Sequence, residues 1–247
     1  IGAGFYVLAL GALMITGNPN LFPSVVMVGS FLVPVTFVAF FYGHRHYSVL
    51  TLPTTALTMV YGGLLGVIAA SILEPLFIQQ LDFLTAFEVG LIEEFAKILG
   101  VVVIVRRRGR YSEIDGLILG AAAGMGFAAL ESSGYAFSAF LRSQGNLLAS
   151  VHVTLLRGLL SPLGHGTWTA ILAAVLFRES TPEGFRINGS VLGAYLTVVV
   201  LHGLWDGLPS LLSSFVASGL DVLLAQLAVG AVGLFLLWRR WHEGRRL

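Results

Sequence analysis

Hydrophobic positions run along this chain in long blocks, and polar residues collect in the short gaps between them. About 20 apolar residues carry a helix across the hydrocarbon core of a bilayer. The blocks predict eight such helices, with cores at 2–17, 24–42, 53–73, 83–105, 115–140, 153–177, 189–213 and 219–239. The short alternating segments of a membrane barrel are not seen. Asn18-Pro19-Asn20 closes the first block, which is short and Gly-rich. Pro23 and Pro53 mark helix starts, and Glu74-Pro75 is expected to end the third helix, because a helix interior needs the N–H that proline lacks.

Composition agrees with that pattern. The 247 residues are 56% hydrophobic and only 11% charged, whereas about a quarter of a soluble domain is charged. The fold class expected is therefore all-α: a polytopic membrane protein of about eight transmembrane helices with a polar site buried in the bundle. No linker, low-complexity tract or sizeable extramembrane segment interrupts it, so residues 1–247 read as one transmembrane domain. Cysteine is absent, which excludes disulfides, thiolate catalysis and cysteine-ligated metal. The net charge of +1 gives no reason to expect nucleic acid as a partner.

The placement of charge says more than its total. Connections after even-numbered helices hold Arg45, then Arg106, Arg107, Arg108 and Arg110, then Arg178 and Arg186, then Arg239, Arg240, Arg245 and Arg246. The opposite connections hold only Arg142. Basic residues gather on the cytoplasmic side, so both termini are expected there, and the arginine run 106–110 reads as a topology signal in contact with lipid headgroups. His44, His46, His152 and His242 fall near interfaces and receive no role. Arg157, near an outer edge, reads as a residue that snorkels or pairs with a loop.

Within the helices stand Glu93, Glu94 and Lys97, then Glu131, His165, His202 and Asp206. An ionisable residue in hydrocarbon costs about 2.5–3.5 kcal/mol on insertion scales, which makes each a functional candidate by default. Counting about 1.5 Å per residue from the helix ends puts Glu94, Glu131, His165, His202 and Asp206 within about 8 Å in depth. Four helices thus converge on one plane. Glu93 and Glu94 are each one turn from Lys97, and His202 and Asp206 form an i,i+4 pair suited to orienting an imidazole or to chelating a metal. Adjacent glutamates point about 100° apart, so one is expected to face the site and the other to pair with Lys97 or a neighbouring helix, with Glu94 as the one facing inward. Gly116, Gly120, Gly124 and Gly126 make the fifth helix a small-residue helix for close packing. Phe127, Trp168 and Trp205 lie at the depth of the polar set as pocket walls or plain core. His165-Gly166-Thr167-Trp168 and His202-Gly203-Leu204-Trp205 share a short His-Gly-x-Trp echo.

Four ordered motifs carry a resemblance: Glu93-Glu94-x-x-Lys97, Gly126-Phe127-x-x-x-Glu131, Ser161-Pro162-x-x-His165-x-x-Trp168-Thr169 and His202-Gly203-Leu204-Trp205-Asp206. Together they resemble the PrsW family of intramembrane proteases, related to the CAAX prenyl endopeptidase and Abi group. The motif-bearing core lies at about 83–213. Ser132 follows Glu131 where the family often has Asn. The resemblance implies a glutamic-type endopeptidase in a prokaryotic inner membrane that cuts a membrane-anchored or membrane-proximal protein, as in regulated cleavage of anti-sigma factors.

With no cysteine and no serine in a nucleophile motif, hydrolysis by an activated water is the expected chemistry. Glu94 is the expected general base, Glu131 shares that water or acts as the acid, and His165 and His202, the latter oriented by Asp206, stabilise the oxyanion or protonate the leaving group. Lys97, Phe127 and Trp205 support them. A metal-independent site is preferred and no cofactor is expected. The zinc alternative takes Glu131, His165, His202 and Asp206 as its ligand pool with Glu94 as base, although His-Glu-x-x-His is missing. A proton- or ion-coupled transporter is the competing class, because midplane carboxylates and histidines also build ion pathways.

Overall fold

The computed structural model describes all residues except 46–47, 81, 106–110, 182, 216, 218 and 246–247. The arginine run 106–110 and His46 therefore lie outside the described residues. Among the described residues the chain forms eight helices: α1 (Gly2–Thr16), α2 (Phe22–Gly43), α3 (Leu52–Phe77), α4 (Thr85–Val105), α5 (Glu113–Arg142), α6 (Leu147–Arg178), α7 (Gly189–Leu212) and α8 (Leu220–Gly244).

Six of them, α2, α3 and α5 to α8, are long and apolar enough to cross a membrane. The other two depart for different reasons. α1 is apolar but only 15 residues long, and α4 has 21 residues but carries Glu88, Glu93, Glu94 and Lys97. Large apolar side chains such as Phe5, Ile72, Phe95, Val200 and Phe235 remain exposed on the outside of the bundle, the surface expected where lipid replaces water.

α5 is the central post. Its start is fixed by a capping box, in which the Ser112 hydroxyl accepts from the Asp115 N–H and the Asp115 carboxylate accepts from the Ser112 N–H. From Glu113 to Ala129 every residue is buried, which requires small residues wherever a neighbour crosses closely. A Cβ on Gly124 would run into the His165 carbonyl, and one on Gly126 into the Met59 carbonyl. Met59 belongs to a π-helical turn, Thr58–Gly62, inside α3. The close approach of α5 to both α3 and α6 thus depends on residues without side chains, as expected of small-residue membrane interfaces.

Two expected helix boundaries change. α3 does not stop at Glu74-Pro75 but runs through it to Phe77; the preceding turn supplies Glu74's carbonyl to the Ile78 N–H and closes the helix there instead. The expected continuous helix over 153–177 begins at Leu147 and is broken. Its first half ends at Leu160, a 3-10 turn spans Ser161–Leu163, and the second half starts at His165. Pro162 withdraws one N–H, while the Ser161 hydroxyl donates to the Gly158 carbonyl and the Thr167 hydroxyl to the Pro162 carbonyl, so freed acceptors are reused across the break.

Candidate active site

The break in α6 decides where His165 goes. As the first residue of a half-helix, it projects toward α4 rather than continuing along a lipid-facing stripe. Irregular backbone at membrane depth is tolerated where it lines a cavity. Ser161, Gly164 and His165 do line one, a space of about 230 Å³ shared with Arg157, Trp205 and Gln226.

On α4, Glu93, Glu94 and Lys97 are all buried, and Lys97 is wholly so. The Lys97 ammonium donates to Glu93 Oε2 at 2.9 Å and to Glu94 Oε1 at 2.8 Å, and its nitrogen lies 2.8 Å from His165 Nδ1. Its three N–H groups are thereby used. Because His165 Nδ1 accepts from the ammonium, the ring's proton sits on Nε2, which lies 3.3 Å from Glu131 Oε2. Lys97 also stands 4.1 Å over the Phe127 ring, a cation–π contact in a dry setting.

Both glutamates bond Lys97, and the one that faces inward is not the expected one. Glu94 is enclosed: Oε1 takes Lys97 and lies 3.0 Å from His202 Nδ1, while Oε2 accepts from the Thr169 hydroxyl at 3.1 Å. Glu93, not Glu94, faces open space. With Glu131, Phe127, Tyr135 and Glu74 it lines a second cavity of about 280 Å³ between α3, α4 and α5. Glu74 went unnoticed in the sequence because it looked like a helix end; its Oε1 is buried without a hydrogen-bond partner among the described residues.

His202 on α7 is buried among charges. Its Nδ1 faces Glu94, and its Nε2 lies 3.6 Å from Glu93 Oε2 and 3.3 Å from Asp206 Oδ2. With Nδ1–H donated to Glu94, a bare Nε2 would face two carboxylates; a proton on it, or a cation between them, removes the repulsion. Asp206 is on the rim, with its side chain 43% exposed. Trp168, fully buried, packs its ring against both imidazoles, at 5.4 Å from His165 and 4.8 Å from His202, and meets Trp205 edge-on. Phe127 and Trp205 therefore do wall the site.

Arg157 departs from its expected surface role. Its Nη2 donates to Glu131 Oε2 at 2.6 Å, its Nε to the Ser132 hydroxyl at 3.4 Å, and the guanidinium stacks 4.0 Å over Tyr135. The residue after Glu131 thus does make a supporting hydrogen bond even though it is Ser rather than Asn. Only the chance of a partner 26 positions earlier on a neighbouring helix could have pointed to Arg157, and sequence spacing does not carry that information.

The expected zinc pool of Glu131, His165, His202 and Asp206 is not the set that converges. Among the described residues the donor atoms of Glu93, His165 and His202 all lie within 4.8 Å of one another. Asp206 approaches only His202, and Glu131 is held by Arg157. Two imidazoles and a carboxylate are the donor types of a catalytic zinc site with one open position. They fit a metal in type and spacing, provided that Lys97 releases Glu93 and His165 and stays on Glu94.

Among curated proteins and solved structures nothing matches the chain. A family model described as PrsW family intramembrane metalloprotease matches residues 50–238, a stretch that holds α3 to α7, most of α8 and every residue of the site. The match takes in most of the chain, which therefore belongs to the PrsW family of intramembrane metalloproteases.

Proposed function

We propose that this protein is an endopeptidase that hydrolyses a peptide bond of a membrane-anchored protein inside the bilayer, with Glu93, His165 and His202 as the reacting groups. One observation carries the reading: these three side chains converge beside a cavity that Glu93 and Glu131 line. In this reading residues 1–247 act as a single eight-helix transmembrane domain, with α1 and α4 also in the membrane and both termini cytoplasmic. Glu93 is about 12 Å from the start of α4, and Glu131 and His202 are about 16 and 15 Å from the ends of α5 and α7, all measured from the same face. The bond cut is then well within the hydrocarbon.

Glu93 takes the proton of the attacking water, because of the two glutamates on α4 that meet Lys97 it is the one beside open space, and its partners, Lys97 and His202, steady its charge. Glu94 holds Lys97, His202 and Thr169 in position. His165 donates its Nε2 proton toward the leaving group, with Glu131 beside it, while the Lys97 ammonium passes a proton to Nδ1 so that the ring stays neutral, and Lys97 is reprotonated by Glu93, which holds the proton taken from water. His202, steadied by Asp206, stabilises the developing oxyanion.

The metalloprotease description of the family favours a second reading of the same residues. Glu93, His165 and His202 would hold the ion, and what it supplies when bound is Lewis-acid polarisation of the scissile carbonyl. Elemental analysis of the purified protein, with activity measured before and after chelation, separates the two. A pool of membrane peptides digested in detergent tests the function itself: cleavage by the parent and none by Glu93→Gln or His202→Ala supports it, while proton flux without cleavage supports a carrier instead.

A further inference from the structure

One ion pair links the linings of the two cavities at the site. Glu131 belongs to the lining of the larger cavity and Arg157 to that of the smaller, and they bridge at 2.6 Å. Arg157 is only partly enclosed, with its side chain 30% exposed. A guanidinium has five N–H donors, and the bonds to Ser132 and Glu131 account for Nε and Nη2. Among the described residues its other donors have no acceptor, in a part of the molecule where lipid offers none.

A peptide cut inside a membrane presents the complementary problem. In a helix its carbonyls are bonded to its own N–H groups, so a reactive stretch must unwind, and each freed backbone group in hydrocarbon costs several kcal/mol until it finds a partner. Of the residues lining the two cavities, Arg157 is the one with a guanidinium, and it stands beside the reacting groups: His165 lines the same cavity as Arg157, and its Nε2 shares Glu131 Oε2 with the guanidinium. We infer that Arg157 is a substrate-binding residue whose guanidinium takes backbone carbonyls of a substrate segment unwound into an extended strand across the two cavities. The substrate class is then a transmembrane segment that unwinds easily, with residues on one side of the cut in the Glu131 cavity and those on the other in the Ser161–Trp205 cavity. This rests on the peptidase reading above.

The test is a binding measurement in the Glu93→Gln protein, which removes turnover. The probe is a fluorescent Leu/Ala transmembrane peptide of about 22 residues with a central Gly-Gly pair, offered to protein in nanodiscs. Arg157→Met is expected to raise Kd about tenfold, the loss of one charged hydrogen bond, and Arg157→Lys, which keeps the charge but not the fork, to raise it less. Because Arg157 also touches Glu131, the substitution is repeated in the Glu131→Gln background. A tenfold rise that persists there supports direct contact with the substrate, whereas one that vanishes means Arg157 acts only through Glu131 and overturns the inference. Equal Kd values for parent and Arg157→Met, or no binding of the probe to the parent, also overturn it. Absence of cleavage of a membrane-peptide pool by the parent, by contrast, rejects the peptidase reading itself, and retained cleavage by Glu93→Gln rejects the role given to Glu93.

Discussion

Glu94 on α4 and Glu131 on α5 are both carboxylates of one site, yet they are held in opposite ways. Glu94 has no exposure and three partners, Lys97, His202 and Thr169, each from a different direction. Glu131 retains some exposure, lines a cavity, and is held by Arg157 from a neighbouring helix. The difference separates a frame from a working face. A buried charge with every partner satisfied fixes helices and imidazoles, whereas a carboxylate at a cavity wall can meet water and substrate. Glu93 stands between the two, tied to Lys97 on one side and open to the cavity on the other.

The largest effect that would sharpen this division is on Glu93. Glu93→Gln is nearly the same shape and should keep the fold while lowering cleavage about 10²–10⁴-fold, the usual loss on removing a general base; thermal unfolding beside a cleavage assay separates the two outcomes. The frame should behave in the reverse manner. Lys97→Met leaves two carboxylates buried without their cation, and breaking a buried ion pair from one side costs about 3–5 kcal/mol, so a large loss of thermal stability is expected. A stable Lys97→Met protein would break the comparison.

Asp206 lies at the rim and pairs with His202, so Asp206→Asn should lower cleavage about tenfold, at the mild end for a group that orients a site histidine, with the melting temperature unchanged. The smallest effect is expected outside the site, at the start of α4. Asp82 accepts from the Thr85 and Leu84 N–H groups, and these bonds hold its carboxyl below the ordinary aspartate value of 3.8, that of Thr85 foremost. A depressed folded value stabilises the protein above the unfolded value and is lost as pH falls through the folded one. The small stability difference between the parent and Asp82→Asn should therefore be present at pH 7 and shrink below pH 3.8.

Most of the fold and the membership of the site were legible because both are written in composition and spacing. Long apolar blocks need lipid and helices, and charges inside such blocks need one another, so Glu93, Glu94, Lys97, Glu131, His165 and His202 meet as their depths imply. What escaped was set by events between helices. Ser161-Pro162 reads as part of an apolar block, yet there the helix stops and restarts, which alone turns His165 toward Lys97. Arg157 and Glu74 look like edge residues until α5 brings Glu131 beside one and the cavity beside the other. Which glutamate faces open space depends on helix rotation. Two neighbours about 100° apart are equivalent in sequence until α3 and α7 take their sides.

In the proposed mechanism Glu93 handles the water while Glu94 holds the frame. Digestion of a membrane-peptide pool in H₂¹⁸O reads this directly, since hydrolysis leaves ¹⁸O in each new C-terminal carboxyl. Scored per folded molecule, the parent should generate labelled C-termini, Glu93→Gln essentially none despite full folding, and Glu94→Gln a reduced folded fraction whose survivors still cleave. Labelled products from Glu93→Gln at the parental rate would contradict the account.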